Sequence, residues 1–67
     1  MNSVGVKIKE LRNEKKLTQQ QMADILKIDR SNYSKYELGK LEVNNDMLIA
    51  LAKFFNVSID YLCGLVD

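Results

Sequence analysis

Apolar residues recur along this chain three and four positions apart, and no stretch alternates strictly enough to be a β-strand. This pattern predicts five helices, at about residues 4–15, 18–26, 30–37, 45–55 and 58–64. The apolar stripes of these helices face inward, as at Ile8 and Leu11 in the first helix and Leu48 and Leu51 in the fourth. Short connections between short helices predict one all-α domain, a compact five-helix bundle over residues 1–67.

Polar residues at the predicted helix ends support these boundaries. Thr18 and Gln21 form a capping-box sequence at the start of the second helix. Asp29, Asn44 or Asn45, and Ser58 are expected to cap the next three helices, because their side chains accept from free amides of a first turn. Gly39 is predicted to end the third helix in a left-handed conformation.

The second and third helices are joined only by Lys27, Ile28 and Asp29, so they must cross at a steep angle. That is the geometry of a helix-turn-helix, predicted here at about residues 18–37. Ala23 is small enough to let the third helix pack closely, and Ile28 can fill the space beneath the turn. The third helix then presents a donor-rich outer face, which suits the acceptors of the DNA major groove.

Four segments in order resemble the Cro/repressor-type (XRE-like) helix-turn-helix family, over essentially the whole chain. They are residues 8–12, 17–23, 34–40 and 48–62, which include LTQQQMA and SKYELGK. The resemblance implies a lambda-repressor-like fold whose third helix reads DNA bases. It also assigns roles to individual positions.

Three sets of residues follow from this assignment. Base edges are read by the third helix, with Arg30 as the best candidate because a guanidinium pairs bidentately with guanine; the set is Arg30, Ser31, Asn32, Ser34 and Lys35. The predicted phosphate contacts are Thr18, Gln19, Lys27 and Lys40. The residues predicted to position the reading helix are Arg12, Ala23, Ile28, Glu37 and Gly39.

The chain departs from the family pattern at two places. Lys27 stands where the turn usually has glycine, so a left-handed backbone there costs about 1 kcal/mol, which attraction to phosphate can justify. The loop over residues 41–45 has neither the usual proline nor an arginine for the minor groove, so we assign no DNA contact to it.

Charge is distributed unevenly along the chain although the net charge is only +1. Residues 1–40 carry nine Lys/Arg against five Asp/Glu, which gives +4, whereas residues 41–67 carry one against four, which gives −3. The first part is therefore expected to face DNA. The acidic, apolar second part is the expected self-association surface, with Phe54, Tyr61, Leu65 and Val66 as candidates.

Composition excludes several classes of protein. The chain has no His and a single Cys, too few ligands for a zinc site and too few thiols for an internal disulfide. It has no nucleophile–base pair and no Gly-rich phosphate loop, so neither an enzyme nor a cofactor is expected. No apolar run is long enough to span a membrane, and we expect a cytoplasmic protein associated with the nucleoid of a bacterium or of a phage-infected cell.

These observations favour a sequence-specific regulator of transcription that binds double-stranded DNA and acts as a repressor. The third helix would enter the major groove of a two-fold operator, and a homodimer would supply the contact area that a domain this small lacks. The alternative is a protein-binding adaptor or antitoxin-like module on the same fold.

Overall fold

The computed structural model describes residues 3–65 and is all-helical over that range. The five helices are α1 (Ser3–Glu14), α2 (Gln19–Leu26), α3 (Arg30–Leu38), α4 (Asn45–Phe55) and α5 (Ile59–Leu62). The five-helix, all-α prediction is therefore confirmed. None of these helices is long and apolar enough to cross a membrane.

The helix starts are set by the side chains that the sequence indicated. The Thr18 hydroxyl accepts from the Gln21 amide at 3.0 Å, and the Gln21 side chain accepts from the Thr18 amide at 2.8 Å, which completes the capping box. Asp29 caps α3 and Asn44 caps α4 by accepting from the third amide of each helix, at 2.7 and 2.9 Å. Ser58 caps α5 in the same way.

Three helix ends differ from the prediction, and of these α3 extends one residue further than predicted, to Leu38. Helix α1 ends at Glu14 rather than at residue 15, because the chain turns through Lys16 in a left-handed conformation with φ of 59°. The amide of Leu17 then bonds to the carbonyl of Arg12 at 3.1 Å and closes the turn. Helix α5 ends at Leu62, before the predicted Gly64, which has φ of 76°.

A single core lies between the helices. Helix α3 packs against both α1 and α2, and α5 packs against α1 and α4. The largest fully buried side chains are Ile8, Met22, Tyr33, Leu51 and Leu62, so each of the five helices contributes one of them. Helix α3 is thereby fixed on its inner side by two neighbours, and its other side faces solvent.

Candidate nucleic-acid interface

The connection between α2 and α3 is a three-residue turn with a left-handed first residue. Lys27 has φ of 61° and ψ of 40°, as expected for the position that glycine usually holds. Its amide bonds to the Asp24 carbonyl at 3.2 Å, and the amide of Ile28 bonds to the Ala23 carbonyl at 3.0 Å. The turn thus satisfies the last carbonyls of α2. Ala23 is fully buried and Ile28 packs against the core, and their role in positioning the third helix stays a prediction.

Helix α3 has one buried side and one exposed side. Tyr33 is fully buried and Glu37 nearly so, while Arg30, Ser31 and Lys35 are exposed. The exposed side borders a shallow groove on the surface, lined by Arg30, Ser31, Ser34, Lys35, Leu38 and Lys40. The groove therefore brings together four of the five predicted base-reading residues.

Asn32 is the predicted base reader that does not line this groove. Its amide and its side-chain nitrogen both donate to the Asp29 carboxylate, at 2.7 and 3.4 Å. Asn32 is exposed and belongs to the cap of α3. Its role as a base reader stays a prediction.

Lys40 reaches the groove because of how α3 ends. Gly39 adopts φ of 77°, and the amide of Lys40 bonds back to the carbonyl of Lys35 at 2.9 Å. This hydrogen bond closes a Schellman-type turn that reverses the chain directly after the helix. Lys40 consequently lies beside the C-terminal end of α3, next to Leu38.

The Glu37 carboxylate is the centre of a nearly buried hydrogen-bond network, with only 2% of its side chain exposed. Arg12 donates to both carboxylate oxygens, from Nε at 2.6 Å and from Nη2 at 3.2 Å. The Tyr33 hydroxyl donates to Oε2 and the Gln19 Nε2 donates to Oε1. These four donors occupy the four acceptor sites of the carboxylate and join α1, α2 and α3.

These contacts shift the pKa values of Glu37, Arg12 and Tyr33. Burial raises the pKa of Glu37, but the hydrogen bonds from Arg12, Tyr33 and Gln19 outweigh that effect, and the net pKa is lowered. The hydrogen bond to Glu37 raises the pKa of Arg12. Burial and the same carboxylate raise the pKa of the Tyr33 hydroxyl. Glu37 is therefore ionised and Tyr33 neutral at physiological pH.

The predicted phosphate contacts lie around the start of α2 and the two turns. Thr18, Lys27 and Lys40 are exposed, and Gln19 is half-buried. One N–H of the Gln19 amide is held by Glu37 at 3.0 Å, which leaves its second N–H as a donor. The structure thus links Gln19 to the network that positions α3, a connection that the sequence does not indicate.

Comparison with known proteins identifies this geometry. A family model described as helix-turn-helix matches residues 8–62, which include the four helices α2 to α5 and most of α1. The chain belongs to the helix-turn-helix family. The resemblance that the sequence motifs indicated is therefore confirmed.

Relatives in this helix-turn-helix family are named as regulators of transcription. The chain is 49% identical over 55 residues to the uncharacterized HTH-type transcriptional regulator YqaE of Bacillus subtilis, with 82% of this chain and 47% of that protein covered. It is 39% identical over 62 residues to the HTH-type transcriptional regulator ImmR of Bacillus subtilis (92% and 49% covered). It is 43% identical over 63 residues to the cryptic phage CTXphi transcriptional repressor RstR of Vibrio cholerae (88% and 56% covered). The chain spans about half the length of each.

One positioning residue of this helix-turn-helix domain escaped sequence reasoning. Gly5 is buried in α1, where a Cβ atom would stand 2.6 Å from the backbone oxygens of both Tyr36 and Glu37. Only glycine lets α1 approach the last turn of α3 so closely. A glycine inside a helical pattern, which costs about 1 kcal/mol relative to alanine, is the signal that points to such a contact.

The predicted self-association residues are only partly accessible in the helix-turn-helix domain. Phe54 and Tyr61 are half-buried. A lysine side chain lies over each ring: Lys7 Nζ is 4.5 Å from the centre of the Tyr61 ring, and Lys15 Nζ is 5.7 Å from the centre of the Phe54 ring. Leu65 is 73% exposed. Val66 lies outside the described residues. The dimer surface stays a prediction.

Proposed function

We propose that this chain is a sequence-specific, double-stranded-DNA-binding regulator of transcription, that it acts as a repressor, and that it binds a two-fold operator as a homodimer. In this proposal, α3 enters the major groove and its exposed side reads base edges. The observation that carries the proposal is the groove along α3, where two cationic side chains, Arg30 and Lys35, and two hydroxyls lie on one exposed side of a rigidly held helix. The names of the relatives support the same function.

The two kinds of contact are separated in space. Arg30 and Ser31 lie in the first turn of α3, the part of a recognition helix that commonly reaches base edges. Gln19, Lys27 and Lys40 lie at the start of α2 and in the turns on either side of α3, where they would contact the phosphates along both edges of the groove. The helix would thus be positioned by phosphate contacts, and the sequence would be read by its exposed side.

A dimer fits the size of the domain. The described part of the chain measures 29 × 23 × 20 Å, so two copies placed side by side can present their α3 helices to half-sites about 34 Å apart. The exposed Leu65 in the acidic C-terminal part supports a self-association surface there.

The decisive test is selection of bound sequences from a random DNA library, followed by binding titrations. We expect a two-fold site with half-sites one helical turn apart. Arg30→Ala should weaken binding by about 1–3 kcal/mol and relax the preference at one base pair. Lys53→Ala is the matched control, because this substitution also removes one positive charge, and Lys53 is exposed on α4 and does not line the groove.

The possible results separate the proposal from its alternatives. If Arg30→Ala and Lys35→Ala keep the affinity and base preference of the wild type, α3 is not the reader. A selected site without symmetry would contradict the dimer. Failure to select any DNA, together with purification in a stable complex with another protein, would favour the adaptor or antitoxin-like alternative.

A further inference from the structure

An exposed apolar side chain lies among the cationic residues of the α3 groove. Leu38 is 65% exposed, more than any other large apolar residue within the five described helices. It lies four positions after Ser34 and eight after Arg30, so the three share one side of the helix. Arg30, Lys35 and Lys40 line the same groove.

The positive charges of this groove indicate what kind of partner it binds. Three cations around an open groove favour a polyanion over an apolar protein surface. A partner that satisfies both the cations and Leu38 must then carry an apolar group close to its phosphates. In the DNA major groove that group is the C5-methyl of thymine, which projects from the base edge beside the backbone.

The position of Leu38 matches this requirement. Along the chain it stands between Lys35, a proposed base reader, and Lys40, a proposed phosphate contact, and all three border the same groove. It is also the last residue of α3, about 12 Å along the helix axis from Arg30, or three to four base pairs. We propose that Leu38 is a specificity-determining residue that contacts a thymine methyl at one end of each half-site. This inference rests on the proposed function.

The test removes the methyl from the DNA and the leucine from the protein, separately and together. Each thymine of the selected site is replaced in turn by deoxyuridine, which keeps base pairing and lacks only the methyl. Wild type and Leu38→Asn are titrated against every variant site. Thermal unfolding is recorded in parallel, and because Leu38 is mostly exposed we expect Leu38→Asn to remain folded.

We expect one thymine per half-site at which deoxyuridine weakens wild-type binding about fourfold, the value of one buried methyl group. The same replacement should leave the affinity of Leu38→Asn unchanged. Ile49→Asn is the matched control: Ile49 is an exposed apolar residue of α4 outside the groove, so this variant should keep the fourfold effect.

Each other result overturns the proposal in a distinguishable way. An equal deoxyuridine effect in wild type and Leu38→Asn would show that another residue contacts the methyl. A loss of affinity in Leu38→Asn at every site, with no deoxyuridine effect in wild type, would place Leu38 against the sugar-phosphate backbone. If the wild type selects no DNA site, the proposed function itself fails, and this assignment fails with it.

Discussion

Replacing Arg12 by methionine would remove the cation from a carboxylate that is almost fully enclosed. Glu37 would lose two of its four donors while its side chain stays 2% exposed. Breaking one side of a buried ion pair costs about 3–5 kcal/mol, and because 11% of the Arg12 side chain is exposed we expect the lower end, about 3 kcal/mol. For a domain of this size, the melting temperature should fall by at least about 12 °C.

The pH dependence gives this prediction a second, independent readout. The folded-state pKa of Glu37 is lowered, so its stabilising contribution is present above its ordinary pKa and is lost as the pH falls through the folded value. Without Arg12, burial opposes only the hydrogen bonds from Tyr33 and Gln19, and the pKa of Glu37 rises. The loss of stability between pH 5 and pH 3 should therefore be smaller in Arg12→Met than in the wild type.

Urea denaturation followed by far-ultraviolet circular dichroism at pH 7, 5, 4 and 3 measures both effects. The matched variant is Arg12→Met combined with Glu37→Leu, which removes the charge that the single variant leaves unpaired. It should recover part of the lost free energy of unfolding but not all of it, because the buried Tyr33 hydroxyl then lacks its acceptor. The reasoning is refuted if Arg12→Met is within about 1 kcal/mol of the wild type at pH 7, or if it loses as much stability in acid as the wild type does.

Two further variants test the backbone around α3. In Gly5→Ala, the new Cβ would stand 2.6 Å from two backbone oxygens. The free energy of unfolding should fall by about 1 kcal/mol, since overpacking costs about 1–3 kcal/mol and the helical preference of alanine offsets at most about 1 kcal/mol of it. A raised melting temperature would contradict that contact. Lys27→Gly should raise the free energy of unfolding by about 1 kcal/mol by relieving a left-handed backbone with φ of 61°, yet weaken DNA binding and reduce the salt slope by about one. A salt slope unchanged from the wild type would show that Lys27 contacts no phosphate.

The helices of this domain could be predicted from the sequence because their boundaries depend on local chemistry. Thr18, Asp29, Asn44 and Ser58 each accept from an amide three residues later, a contact that needs no tertiary structure. The apolar spacing likewise depends only on the period of the helix. The ends that differ from the prediction, at Glu14, Leu38 and Leu62, are those where the chain turns to reach its next packing partner.

The Glu37 network could be predicted only in part. The family resemblance placed both Arg12 and Glu37 among the residues that position the reading helix, and the structure joins them although they lie 25 positions apart. The donors Gln19 and Tyr33 could not be inferred, because Tyr33 reads as an apolar core residue and Gln19 as a surface residue until the helices are placed in space. The same limit applies to Gly5, whose contact is with backbone atoms of α3 and therefore leaves no complementary residue type in the sequence.

Stability and recognition are divided between the two sides of α3. On the inner side, Tyr33 is fully buried in the core. The Glu37 carboxylate accepts four hydrogen bonds there, from Arg12, Gln19 and Tyr33. On the outer side, Arg30, Lys35 and Leu38 project from the helix toward solvent and are absent from the core cluster. Substitutions on the outer side consequently remove little buried surface, so the proposed base preference of this domain can change without a matching loss of folding free energy.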